Sequence, residues 1–230
     1  MAAQAIVSYD DTQNDHDALI LGRVLAEAGA ELTLAYVRHT TASTREREEL
    51  EESEAQALLE RGARWLDDLE VERRVVMSPS TGEGLKLLAE QEEADIVVFG
   101  SDYRTAAGHV EPQGSAWKLI EGGTAAVAIA PANYRANREP EIHRIGILVT
   151  PGDDVALENA RELADRFDAV LSRDERQVDL LIVGSRAEAP DGRVMISSQA
   201  QGEIENATCP VLVVPRGVTI DFPAVLAHAA

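Results

Sequence analysis

Short apolar runs closed by glycine, proline or acid alternate along this chain with longer segments whose apolar residues recur every three or four positions. The first kind reads as strands buried on both faces and the second as amphipathic helices, so their alternation predicts a doubly wound parallel sheet. Ala5–Tyr9 is the first strand and stops at Asp10 and Asp11. A helix is expected next, capped by Asn14 or Asp15, with Asp17 in its first turn, Leu21, Leu25 and Ala28 facing inward, and Gly29 as its stop. Leu32–Val37 is the second strand. The charged stretch Thr44–Leu69 carries an interrupted stripe of Leu50, Ala57, Leu58, Ala63 and Trp65 and reads as a long surface helix with a solvated face. Glu72–Met77 is the third strand, and Ser80 or Thr81 caps a helix that runs to the neighbourhood of Gln91. Asp95 opens the fourth strand, and a helix and a strand from the Gly114 region to Pro131 complete a five-stranded unit.

The stretch from Asp95 to Pro131 returns without a gap at a constant numbering offset of 84 (179 less 95). Asp95, Gly100, Ser101, Gly108, Val110, Ala116, Ile120, Glu121, Thr124, Val127 and Pro131 recur as Asp179, Gly184, Ser185, Gly192, Val194, Ala200, Ile204, Glu205, Thr208, Val211 and Pro215. A repeat of that length is a duplicated structural unit. Earlier in the chain the offset is 138 (156 less 18), since Ala18, Leu19, Arg23, Leu25 and Ala26 match Ala156, Leu157, Arg161, Leu163 and Ala164. The second copy is therefore shorter by the difference between the two offsets (138 less 84), and what it lacks is the long charged helix, the third strand and the third helix. The chain divides into a complete unit at 1–131, a polar linker at 132–143, a trimmed unit at 144–217 and a tail at 218–230. A unit so reduced has to lean on the first, so the two are expected to form one body.

Composition narrows the partners. With 45% hydrophobic residues in 230, the chain can bury a sizeable core, and a net charge of −20 argues against nucleic acid and against anionic membranes. The single cysteine, Cys209, excludes an internal disulfide and a multi-cysteine metal site, and reads as a small buried hydrophobe. No apolar run approaches the ~20 residues of a membrane helix, and no signal core follows Met1, so a soluble cytoplasmic protein is expected. His16, His39, His109, His143 and His228 lack metal-ligand spacing, although His109 lies between Gly108 and Gly114, where an imidazole could meet a phosphate. Trp65 and Trp117 fall on helices and read as packing residues. Neither GxSxG nor GxxxxGK[ST] occurs.

In open parallel sheets a ligand binds outside the carboxyl ends of the strands where strand order reverses, here between the first and fourth. Asp10–Asp11 and Gly100–Ser101 fall there, and Gly114–Ser115 opens the next helix, whose free amides suit a phosphate. Tight turns that need no ligand explain the same glycines, and both readings stay open at this point. These residues resemble the universal stress protein family, as a tandem member with a shortened second copy. The resemblance rests on Ile-Val-Ser-Tyr-Asp-Asp11, the Val37 strand end, the helix exit from Ala89 to Asp95 into Ile-Val-Val-Phe-Gly-Ser101, the glycine loop and Val-Ala-Ile-Ala-Pro131. It covers Ile6–Pro131 and, as remnants, Ile145–Pro215. It implies two Rossmann-like units of the adenine nucleotide alpha hydrolase-like kind, paired within the chain through Val127–Pro131 and Val211–Pro215, and leaves a homodimer of whole chains open.

The family divides into ATP-binding and non-binding branches, and the binding branch has glycine, two residues, glycine, nine residues, then glycine with serine or threonine. Here Gly100 matches the first glycine, Tyr103 stands at the second, and Gly114–Ser115 comes one residue late; the second copy has Gly184, Ala187 and Ser198–Gln199. The resemblance implies that Asp10 contacts the adenosine part, Val37 offers its backbone to adenine, and Gly100, Gly114 and Ser115 hold phosphates, with Ser101 beside them and Tyr103 narrowing or covering the pocket. The matching Thr150–Asp154 place in the second unit is expected to be inactive. Three functions follow: a regulatory protein that binds ATP or another adenine nucleotide in its first unit without turnover, a nucleotide-free interaction protein of the same family, and an ATP-using enzyme, a weak ATPase included.

Overall fold

The computed structural model describes residues 2–39, 45–66, 69–148, 154–172 and 177–223, with side chains from residue 50 onward in the second stretch. The elements are β1 (Gln4–Ser8), α1 (Gln13–Glu27), β2 (Glu31–His39), α2 (Arg45–Ala63), β3 (Val71–Ser78), α3 (Thr81–Gln91), β4 (Ile96–Gly100), α4 (Gly114–Ile120) and β5 (Ala126–Ala130), then β6 (Arg144–Leu148), α5 (Val155–Phe167), β7 (Val170–Ser172), β8 (Leu180–Gly184), α6 (Ser198–Glu205) and β9 (Val211–Val214). Among the described residues nine strands make one sheet in the order β3-β2-β1-β4-β5-β9-β8-β6-β7. Every pairing is parallel except β5 with β9.

That exception relates the two copies. Val127 pairs with Val213, Ala128 with Leu212 and Ile129 with Val211. Since Leu212 is the image of Ala128 in the repeat, each residue of one closing strand faces the image of another across a pseudo-twofold at Ala128–Leu212. Outward from the seam the first copy reads β5-β4-β1-β2-β3 and the second β9-β8-β6-β7. The second ends one strand early, as the change of offset requires.

Strands buried on both faces separate two cores. Ile96 and Val98 of β4 point into one with Leu19, Leu25, Leu59 and Leu163, and Val97 and Phe99 into the other with Leu85, Leu119 and Ile204. Cys209 lies in the second core. The recurring strand-opening acids tie neighbours together: Asp95 accepts the Gln4 amide at 2.8 Å, and Asp179 accepts the amides of His143 and Arg144 at 2.9 Å each.

Three local expectations change. The cap of α1 is Thr12, not Asn14 or Asp15. Asp15 instead reaches back, taking the amides of Thr12 and Asp10 at 3.0 Å each, and so closes a capping box. Asp17, read as a dipole charge, is fully buried and accepts the amides of Asn133 (2.9 Å) and Arg135 (2.8 Å) and the Arg135 guanidinium, docking the linker on α1. The tail is part of the core over its described length, with Ile220 and Phe222 buried and the Pro223 carbonyl 2.5 Å from where a Cβ on Gly29 would sit. Gly29 has φ +109, so it both stops α1 and leaves room for that carbonyl. Thr44, His228 and the Thr150–Asp154 stretch, apart from Asp154, lie outside the described residues.

Candidate functional site at the carboxyl ends of β1 and β2

The sheet reverses between β1 and β4, and a cleft of roughly 630 Å³ opens beside it, over the ends of β1 and β2. Asp10, Val37, Arg38 and His39 line it from the strands, Glu51, Glu54, Ala55, Leu58 and Arg61 from α2, and Thr81 from the start of α3. Thr81 also lines a second cavity of roughly 360 Å³, with Ser80, Gly82, Glu83, Gly114, Ser115 and Lys118. The two spaces meet at Thr81, between the strand-end acid and the head of α4.

Two glycines that the sequence reading passed over set this arrangement. A Cβ on Gly84 would lie 2.9 Å from the Val37 side chain and from Ser78 Cβ, and one on Gly82 would lie 2.9 Å from Lys118 Cβ and 3.2 Å from Ser115 Cα. Their bareness lets α3 settle between β2 and α4, bringing Val37 and Ser115 to one helix end. Ser80 caps that helix by accepting the Glu83 amide, which frees Thr81 to meet His39 Nε2 at 3.3 Å. Single glycines in a helical stretch carry little signal alone, and His39 lacks metal-ligand spacing.

The two strand-end acids have different tasks. Asp11 holds a left-handed φ of 58 and accepts from Tyr9 Oη and Arg61 Nε at 2.7 Å each. Burial pushes its carboxyl up, but these bonds outweigh that and hold it below the ordinary carboxylate value. The Asp10 carboxylate has no hydrogen-bond partner among the described residues. Burial first, then the nearby Asp15 charge, raise it above its ordinary value, opposed by His39. A carboxylate left unbonded at a cleft wall is an acceptor for ligand hydroxyls.

Behind Asp11 the side chains stack. His16 lies 4.1 Å from the Trp65 ring, and the Arg138 guanidinium covers that ring, also at 4.1 Å. Trp65 therefore packs, as expected, and also holds the linker. Trp117 packs against the second core.

The glycine loop after β4 takes another course. Gly100 is buried, and a Cβ there would lie 1.9 Å from the Asn14 carbonyl oxygen, so its bareness admits α1. Ser101 is fully buried and donates to the Ala130 carbonyl at 2.7 Å while accepting the Glu111 amide at 3.2 Å. Ser185 repeats both bonds, to Val214 at 2.7 Å and from Met195 at 3.2 Å. The loops then cross the seam: Val110 donates to Ala207 at 3.1 Å, and Val194 to Gly123 at 2.9 Å, each bond the image of the other. Tyr103 neither fills nor covers the cleft, being 72% exposed with its hydroxyl accepting from Arg104 at 2.6 Å. His109 is exposed and lines neither cavity. Of the sequence candidates, Asp10 and Val37 share the larger cavity and Gly114 and Ser115 the smaller, whereas Gly100, Ser101 and Tyr103 lie outside both. No group of metal-ligating side chains occurs among the described residues.

The model of the universal stress protein family matches residues 1–130 and 170–215. This chain belongs to the universal stress protein family. As a fold it is similar to a universal stress protein from Archaeoglobus fulgidus DSM 4304, at 13% identity over 93% of this chain and 98% of that one with a TM-score of 0.68. It is likewise similar to a putative universal stress protein from Pseudomonas aeruginosa UCBPP-PA14, at 14% identity over 93% of each chain and a TM-score of 0.62. No curated protein matches it. No helix among the described residues of this universal stress protein is long and apolar enough to cross a membrane.

Proposed function

We propose that this universal stress protein is a regulatory protein that binds an adenine nucleotide or nucleoside in its first unit and does not turn it over. The observation that carries the reading is the Asp10 carboxylate at the wall of the strand-end cleft, next to Val37 and without a hydrogen-bond partner among the described residues. Asp10 would accept the ribose hydroxyls, the Val37 backbone would meet the base, and Thr81 would lie where the ligand leaves the larger space for the smaller. The α4 amides stand without a side-chain cap, since Gln113 makes no capping bond. A Cβ on Gly114 would meet nothing within 4 Å, so a ligand can approach there.

A second reading, a nucleotide-free interaction protein, is favoured by the loop after β4, whose Val110 amide bonds across the seam to Ala207. Equilibrium dialysis of the whole chain against radiolabelled adenosine, AMP, ADP and ATP decides between them. The expected result is one site per chain, weakened about tenfold by Asp10→Ala, with no product formed over hours. No retention of any of the four establishes the second reading, and steady release of ADP from ATP establishes an enzyme.

A further inference from the structure

Resting on the reading that the cleft takes an adenine ligand, we propose that it selects by charge and takes the uncharged nucleoside in preference to the triphosphate. Three observations converge on this. First, the cleft presents the carboxylates of Asp10, Glu51 and Glu54. Asp15 and Asp11 stand close enough to Asp10 to disfavour its ionisation. Second, the two guanidiniums that line the cleft among the described residues lie beside the protein's own acids. Arg61 bonds Asp11 at 2.7 Å, and Arg38 lies 3.8 Å from Glu51 and 3.7 Å from Glu52. Arg61 cannot turn to a phosphate without leaving the Asp11 carboxylate behind, and Arg38, whose Nε makes no hydrogen bond among the described residues, stands at ion-pair distance from two glutamates. Third, no residue from 101–113 lines either cavity. The amides of Gly108 and Val110 donate instead to Ala132 at 2.7 Å and Ala207 at 3.1 Å.

The smaller cavity, at the head of α4, is lined by one lysine, Lys118, and one glutamate, Glu83. Among the described residues a triphosphate therefore meets Lys118 and the Arg38 Nε against the carboxylates of Asp10, Glu51 and Glu54, while a nucleoside needs only the acceptor that suits its hydroxyls. The specificity-determining side chain that can be changed without disturbing the fold is Glu54, which is exposed on α2 and faces the cleft.

Isothermal titration of the full chain with adenosine, AMP and ATP, in low salt and without magnesium, tests the proposal. Adenosine is expected to bind about tenfold more tightly than ATP, with AMP between them, and the gap to narrow at about 0.5 M salt as screening shortens the reach of the acids. Glu54→Lys is expected to shift the ratio toward ATP by about tenfold. ATP binding as tightly as adenosine or more tightly at low salt overturns the proposal and leaves the parent reading standing. A chain that binds none of the three overturns the parent reading, and this one with it.

Discussion

Replacing Gly100 by alanine separates two explanations of the glycine that ends β4. If it is bare so that a phosphate can approach, Gly100→Ala folds normally and loses only ligand. If it is bare so that α1 can approach, the variant loses stability with no ligand present. The added methyl would lie 1.9 Å from the Asn14 carbonyl oxygen and 2.5 Å from its carbonyl carbon. That is about 1.5 Å short of ordinary contact, and the obstacle is backbone. Relief requires the head of α1 to retreat, which loosens the Thr12–Asp15 box and the 2.6 Å bond from Asn14 to the Ser101 carbonyl. Overpacking, a lost cap and a lost hydrogen bond together come to about 3–5 kcal/mol, against which alanine returns at most about 1 by restricting the unfolded chain. A net loss of about 3 kcal/mol lowers the melting midpoint of a chain this size by about 6–12 °C. Gly114→Ala is the paired control, because its added methyl meets nothing within 4 Å and it opens a helix. It is expected to be neutral or stabilising by about 0.5 kcal/mol. Urea denaturation of both variants without ligand is the assay. A Gly100→Ala midpoint equal to that of the unmodified chain refutes the packing argument.

Ser101→Ala and Ser185→Ala each remove a buried hydroxyl that bridges a strand carbonyl and a loop amide, and should cost about 1–3 kcal/mol apiece, equal within about 1 because the surroundings are duplicated. Ser101→Ala that keeps its urea midpoint but loses adenine binding would show the hydroxyl facing ligand instead. Burial, and then the Asp179 charge, push the Cys209 thiol up to about 12. The unfolded thiol ionises near ~8.5, so its contribution is intact below that pH and is lost as pH rises toward the folded value, at up to about 1.4 kcal/mol per unit. Between about pH 9 and 11 the stability of Cys209→Ala should therefore fall less steeply with pH than that of the unmodified chain, and parallel slopes would contradict this.

Much of the fold was legible because duplication writes its own check. The echo of Asp95–Pro131 located β4, α4 and β5 twice, and the break in offset named the elements that the second copy lacks. The candidate site was legible in part. Asp10 and Val37 follow from a positional rule, a strand end at a reversal of strand order, and they line one cavity. Gly100 and Ser101 were read toward a ligand because a glycine and a hydroxyl after a strand look alike whether they serve a phosphate or a neighbouring backbone. Their return as Gly184 and Ser185, in a unit without an equivalent of α2, carried a signal for what both copies share, which is the bond from strand end to loop. Thr12 was displaced by Asn14 and Asp15 because all three are good caps, and only the reach of Asp15 back to two amides settles the order. The crossing of each loop to the other unit had no periodic signature, since it runs through a few backbone amides and the Arg193 guanidinium.

The antiparallel junction at Ala128 and Leu212 has a consequence for how the molecule can vary. Two separate polypeptides meeting there would part on dilution and would have to stay identical for each edge to suit the other. Joined in one polymer, the edges meet at an effective concentration fixed by the connecting segment, so their union is insensitive to how much protein is present. Each edge then needs to suit only its fixed companion, which leaves one half at liberty to shed its outer elements while the other keeps its cleft.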